Sequence, residues 1–180
     1  MVADAVNDGA IGRVIGHEVS HAFDDQGRKV DENGENRDWW APQDAAQYEA
    51  LAQVIVEQYE QFEPIEGIHI NGKLTLGENI ADLAGTIVAY RAYLKSLNGE
   101  EAPVIDGFTG PQRFFIGAAQ INRSKAREGY LREQLLSDPH SPAPYRTTGV
   151  MPNIPEFYEV WDVQEGDAMY KAPEDRVVIW

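Results

Sequence analysis

Val14-Ile15-Gly16-His17-Glu18-Val19-Ser20-His21-Ala22-Phe23 is the stretch on which the reading of this chain turns. Two histidines four residues apart leave one face of a helix about a turn apart, and an acid directly follows the first. That is the His-Glu-x-x-His arrangement, in which two imidazoles bind Zn²⁺ and the glutamate works on water. Surface histidines at helical spacing give the same pattern, so the stretch alone leaves both readings open. A catalytic zinc also needs three protein ligands and an open position. A third ligand has to come from elsewhere in the chain.

The bulk properties narrow where to look. The 180 residues suffice for one domain, residues 1–180, with a substantial core. A hydrophobic fraction of 43% and a charged fraction of 25% are those of a globular protein. The net charge of −15 and pI near 4.5 repel phosphate backbones and anionic lipid, which argues against nucleic acid and membrane surfaces as partners. With no cysteine, thiolate zinc sites and cysteine nucleophiles are excluded, leaving His, Asp and Glu as ligands. No apolar run is long enough to span a membrane, and the first residues carry acid where a signal peptide carries base. A histidine-bearing helix this close to the N-terminus is what a chain shortened upstream would show.

Working outward, residues from about Ala10 to Asp24 read as the first helix, with Ile11, Val14, Ile15, Val19 and Phe23 as its apolar set. Gly16 costs helix stability there, which a close approach of another segment would explain as well as simple tolerance. The turn-rich run 24–38 follows as a loop or short hairpin. Asp31, Asn33 and Glu35 alternate like the start of a calcium loop, but glycine and the bidentate glutamate are misplaced, which favours a solvated turn. Pro42 opens a helix to about Phe62, with Tyr48, Leu51, Ala52, Ile55, Val56 and Tyr59 on one face. The segment 68–76 reads as a short strand and turn, with His69 on a strand face. A third helix spans about Leu76 to Leu97. A fourth opens at Pro111 and runs toward Leu136, with Phe114, Phe115, Ala118, Ile121 and Ala126 inward. A short helix over about 155–162 and an extended, buried C-terminal run 176–180 complete the chain.

The third helix supplies what the first lacks. Glu78 and Asp82 share one of its faces a turn apart, although paired acids on a helix are commonly a solvated face. Two histidines plus a glutamate form a recurrent catalytic zinc set, and a ligating histidine wants its second nitrogen held by a carboxylate. Glu78 as ligand and Asp82 as orienter meet both demands.

At this point the chain resembles a known family. Gly16-His17-Glu18-Val-Ser-His21-Ala-Phe23-Asp24-Asp25-Gln-Gly27, Trp39-Trp40 and Asn71-Gly72-Lys73-Leu-Thr-Leu-Gly77-Glu78-Asn79-Ile80-Ala81-Asp82 are similar to the neprilysin/endothelin-converting-enzyme family of zinc metallopeptidases. Gln112-Arg113-Phe114-Phe115, Asp138-Pro139-His140-Ser141-Pro142 with Arg146, and Trp180 match as well, so the resemblance covers essentially the whole chain and lies nearest the bacterial members. It implies a mainly α gluzincin (thermolysin-like) domain with little β structure, one Zn²⁺, and hydrolysis of internal bonds of oligopeptides on the amino side of hydrophobic residues. It further implies His17, His21 and Glu78 as metal ligands, Glu18 as catalytic base, Asp82 as the acid on a ligand histidine (often labelled a proton donor), His140 as oxyanion partner and Arg146 as the clamp on a substrate carbonyl. Read alone, His140 and Arg146 are a surface histidine and a surface charge.

The departures are informative. Asp8 stands where the family has an aromatic residue and Asn122 where it has Trp, which bears on packing more than on chemistry. Family members are several times longer, and the upstream segment that pairs with the substrate backbone has no match. The expectation is a C-terminal catalytic portion, either active or an inert zinc-binding or structural module, with export from a bacterial cell as the lean on location.

Overall fold

Helices, and the order in which they bury their faces, place every candidate residue. The computed structural model describes residues 4–179; the expectation for Trp180 lies outside them. Among the described residues there is no β-strand, only isolated bridges at Val30–Asn36, Ile65–Ile68 and Ile105–Phe108. The mainly α reading holds.

At the N-terminus, α1 (Asp4–Asn7), a π-helical stretch (Asp8–Gly12) and α2 (Arg13–Ser20) form one helical run that ends in a 3₁₀ turn, His21–Phe23. α3 (Pro42–Glu60) starts with proline in its first turn and buries Tyr48, Ala52, Ile55, Val56 and Tyr59, close to the set its periodicity predicts. α4 (Leu76–Ser96) is buried on several sides through Ile80, Ala81, Leu83, Ala84, Ile87, Tyr90 and Tyr93. It is the helix the others are built on. α5 (Gly110–Gln120) begins at a capping box between Thr109 and Gln112, and its Phe114 and Phe115 rings meet Tyr90 at 5.0 and 5.1 Å. α6 (Glu128–Ser137) buries no residue; α7 (Tyr145–Thr148) and α8 (Pro155–Trp161) follow. Beyond α8 the chain passes through turns and a 3₁₀ helix (Pro173–Asp175) into a run without helix or strand, with Val177 and Ile179 inward and Val178 outward.

Two expectations need correction. The helix from Pro111 does not run on to Leu136: it stops at Gln120, and Ile121 and Ala126 are exposed. Asn122 explains the stop, because its side-chain amide reaches Thr147 Oγ1 at 3.3 Å while its N–H closes a tight turn on Ala119. The segment 68–76 is not a strand either. Asn71 accepts from the N–H groups of Leu74 and Thr75 and folds the chain into the start of α4. His69 is exposed and bonds the Glu60 carbonyl, away from the other histidines. Asp31 behaves as the turn reading expects: its carboxylate accepts from the N–H groups of Asn33 and Glu35 and from Arg37.

The largest surprise is α2. It packs chiefly on α4, and the residues it turns inward are Arg13, Gly16, His17 and Ser20. The apolar set Ile11, Val14, Ile15, Val19 and Phe23 faces solvent. Periodicity showed that these residues share a face; it held no information on which face is covered. The crossing itself rests on two glycines. A Cβ on Gly16 would stand 2.8 Å from the Gly85 carbonyl oxygen, and one on Gly85 would run into the backbone of His17. The close approach that Gly16 permits is therefore real, and it brings His17 level with Asp82. Gly85→Ala should destabilise the chain by about 1–3 kcal/mol and lower its metal affinity. A melting temperature and a zinc titration equal to those of the parent chain would contradict this crossing.

Candidate active site

The α2–α4 crossing brings four of the sequence-nominated residues to one point. His17 and His21 leave α2 and the turn after it, and Glu78 and Asp82 leave the first turns of α4. The two Nε2 atoms stand 3.1 Å apart; Glu78 Oε2 is 3.2 Å from that of His17 and Glu78 Oε1 is 3.6 Å from that of His21. One donor atom from each of these three residues lies within 4.8 Å of the others.

The outer nitrogens decide what these atoms can do. His17 Nδ1 lies 2.9 Å from Asp82 Oδ1, and His21 Nδ1 lies 2.7 Å from Asp24 Oδ2. Each carboxylate is placed to accept a hydrogen bond from Nδ1, which directs both Nε2 atoms toward each other and toward a third carboxylate. Glu78 Oε2 is buried, with His17 Nε2 at 3.2 Å and His140 Nε2 at 3.1 Å as its polar neighbours. Two imidazole nitrogens converging on a buried carboxylate form a donor set that fits a divalent cation.

Asp82 is the deepest part of the site. It is 0% exposed, and three side chains converge on it. Arg146 forks onto both its oxygens at 2.7 and 2.8 Å, and Arg13 Nη2 reaches Oδ1 at 2.9 Å, beside His17. Burial works against its charge, but the hydrogen bonds from His17 and Arg146 and the charge of Arg13 hold the carboxyl well below the usual range. Behind His17 and clamped by two guanidinium groups, Asp82 is placed to fix the plane of the His17 ring.

Two loops complete the arrangement. His140 is half-exposed, with Nδ1 2.8 Å from Asp138 Oδ1 and Nε2 3.1 Å from Glu78 Oε2. Its loop is pinned to α4 by Ser141, whose buried hydroxyl donates to Asn79 Oδ1 at 2.8 Å. Arg146 spends Nε and Nη2 on Asp82, leaving Nη1 for another acceptor. A cavity of about 260 Å³ opens beside the histidines, lined by Val14, Glu18, Ile121, Asn122, His140 and Arg146 among others. Glu18 is exposed at this cavity.

Some of these partners went unnoticed in the sequence. Asp24 follows His21 by three residues, and Asp138 precedes His140 by two, so local spacing could have named both. Arg13 precedes His17 by four, which places it on the same helix face, but its pairing with Asp82 depends on a crossing that local spacing does not encode. Asn122, expected to bear on packing, lines the cavity and donates to the Arg146 carbonyl at 3.5 Å.

A mainly helical fold presenting a His-Glu-x-x-His helix against a glutamate on a second helix is that of a zinc metallopeptidase, and the comparisons with known proteins narrow the class. The chain matches Peptidase family M13 over residues 1–177 and belongs to that family. It is 39% identical over 181 residues to neprilysin-11 of Caenorhabditis elegans and 40% identical over 179 residues to endothelin-converting enzyme 1 of Cavia porcellus. Each alignment takes in 98% of this chain but only 21% and 23% of those proteins, so the chain spans less than a quarter of their length. Among solved structures, the inhibitor complex of Mycobacterium tuberculosis zinc metalloprotease ZMP1 aligns with a TM-score of 0.96 at 47% identity, covering 98% of this chain and 28% of that one. PEPO from Lactobacillus rhamnosis aligns at 0.86 and 37% identity, covering 98% of this chain and 26% of that one.

The metal-free site carries a pH signature. Burial disfavours the charged form of His17, but the hydrogen bonds to Asp82 and Glu78 outweigh it and raise the ring to about 9. A metal takes the unprotonated nitrogen, so below that value zinc has to displace a proton. Affinity is expected to fall about tenfold per pH unit as pH drops below about 9, measured by competition against a chromophoric chelator. An affinity flat across the neutral range would contradict the pairing.

Proposed function

We propose that the chain is the catalytic portion of a zinc endopeptidase that hydrolyses internal bonds of oligopeptides. The single observation carrying this reading is the convergence of His17 Nε2, His21 Nε2 and the Glu78 carboxylate beside a cavity that also exposes Glu18. His17, His21 and Glu78 would hold one Zn²⁺, with Asp82 and Asp24 fixing the two rings. When bound, zinc supplies Lewis acidity, polarising a carbonyl and acidifying water.

The chain's own residues do the rest. Glu18 is free of structural partners that would compete for its carboxylate, and it takes a proton from the attacking water and passes it to the leaving amine. His140, held through Nδ1 by Asp138, donates from Nε2 to the oxygen that becomes negative as water adds. Arg146 uses Nη1 on a substrate carbonyl while Asp82 keeps its guanidinium plane fixed. Val14 and Ile121 give the cavity apolar walls, in keeping with a hydrophobic residue on the amine side of the cleaved bond.

A second reading rests on one observation. The open, apolar outer face of α2 favours a module that binds zinc yet cleaves nothing until another surface closes the cleft. Glu18→Gln separates the readings. Its zinc content should equal the parent's while chelator-sensitive cleavage of a quenched peptide falls roughly 10²–10⁴-fold. Undiminished cleavage in that variant would remove Glu18 from the mechanism, and a zinc-loaded parent that leaves such peptides intact would favour the inert module.

A further inference from the structure

The cavity beside Glu18 holds more polar groups than the proposed chemistry uses. Glu18, His140 and Arg146 each have a part in peptide hydrolysis, whereas Arg13 and Asn122 line the same space with none. Arg13 is 2% exposed. Its Nε donates to Thr86 Oγ1 at 2.9 Å and its Nη2 serves Asp82 and the Arg146 carbonyl, so Nη1 has no acceptor among the described residues. Asn122 gives its amide nitrogen to Thr147 Oγ1 and the Arg146 carbonyl, and its Oδ1 accepts nothing among the described residues. The two side chains reach the same Arg146 carbonyl, at 3.1 and 3.5 Å, so their unused ends lie within the span of one substrate side chain. The family has Trp at position 122, and an indole offers no acceptor, so the free amide oxygen is a feature of this chain. A donor and an acceptor left over at one cavity call for a group that can serve both.

The direction of cleavage says which substrate residue meets them. Glu18 hands its proton to the leaving amine, so the residue bearing that amine lies against the cavity that Glu18 lines. Phenylalanine or leucine there would leave both groups unpaired, and lysine or tryptophan brings donors only. A glutamate brings acceptors only, and sets a further carboxylate near Glu18 and Asp82 in a chain of net charge −15. A hydroxyl both donates and accepts. Tyrosine alone carries it at the end of a ring, which Val14 and Ile121 can cover, whereas glutamine offers those walls only a short stem. We propose that Asn122, with Arg13 behind it, determines specificity and selects tyrosine on the amine side of the cleaved bond. The phenol donates to Asn122 Oδ1 and accepts from Arg13 Nη1. This rests on the peptidase reading and narrows its hydrophobic preference to one side chain with a polar tip.

Product binding reads this pocket without requiring turnover. Cleavage releases a peptide that begins with the selected residue, so the dipeptides Tyr-Ala and Phe-Ala are titrated by calorimetry into the zinc-loaded chain. Tyr-Ala is expected to bind about tenfold more tightly than Phe-Ala, the effect of a hydrogen bond made or missed in a half-buried site. Asn122→Leu should weaken Tyr-Ala and bring the two affinities within about twofold of each other, because the acceptor is gone. Asn122→Asp keeps an acceptor at the same place and should keep the preference, and the ratio measured in the parent needs no variant to fold. Equal affinity of the parent for the two dipeptides, binding of neither, or a preference that survives in Asn122→Leu would overturn the proposal. The peptidase reading fails separately. A parent that prefers Tyr-Ala yet cleaves no quenched peptide supports the pocket and removes the enzyme. Cleavage that treats tyrosine and phenylalanine alike keeps the enzyme and overturns the pocket.

Discussion

A single buried carboxylate holds this structure in its working arrangement. Asp82 is fully buried on α4 and accepts from His17 on α2, from Arg13 one turn earlier on α2, and from both arms of Arg146 on α7. Removing one partner of such a cluster leaves buried charge uncompensated, which typically costs about 3–5 kcal/mol. The same bonds that join three elements also orient the His17 ring and the plane of Arg146 at the cavity. Stability and site geometry depend on the same atoms. Arg13 adds a second tie, donating to the Arg146 carbonyl at 3.1 Å, so α2 and α7 are also joined directly.

The packing that permits this is severe. Gly16 and Gly85 let α2 and α4 touch backbone to backbone, and the depth of that contact decides whether His17 reaches Asp82. Once it is made, polar residues fill the inner face of α2 and apolar ones are left outside. That inversion follows from the site: a helix that must deliver imidazoles and a guanidinium to a buried carboxylate gives its inward positions to polar groups.

What could be read from the sequence was whatever lies within one element. The spacing of His17 and His21, that of Glu78 and Asp82, and the buried faces of α3 and α4 all follow from helical period, and all appear in the structure. Relations between elements were legible only where chemistry demanded them, as when a zinc site needed a third ligand. Which side of α2 is covered did not follow from its pattern, because amphipathicity names a shared face and not its neighbour. The turn at Asn122 was missed because an apolar rhythm continues across it while its side chain bonds α7. His140 and Arg146 stood out through the family resemblance alone. Once the chain is folded, Asp138 and Asp82 show why those two side chains are held where they are.

The central claim is that His17, His21 and Glu78 act together as one zinc site. Zinc content per chain, measured after dialysis against zinc and removal of the excess, tests it most directly in the parent and in Glu78→Gln. The account predicts one zinc per parent chain and a clear loss of retained metal in the variant. A parent chain that retains well under one zinc, or a Glu78→Gln variant that holds it as firmly as the parent, would contradict it.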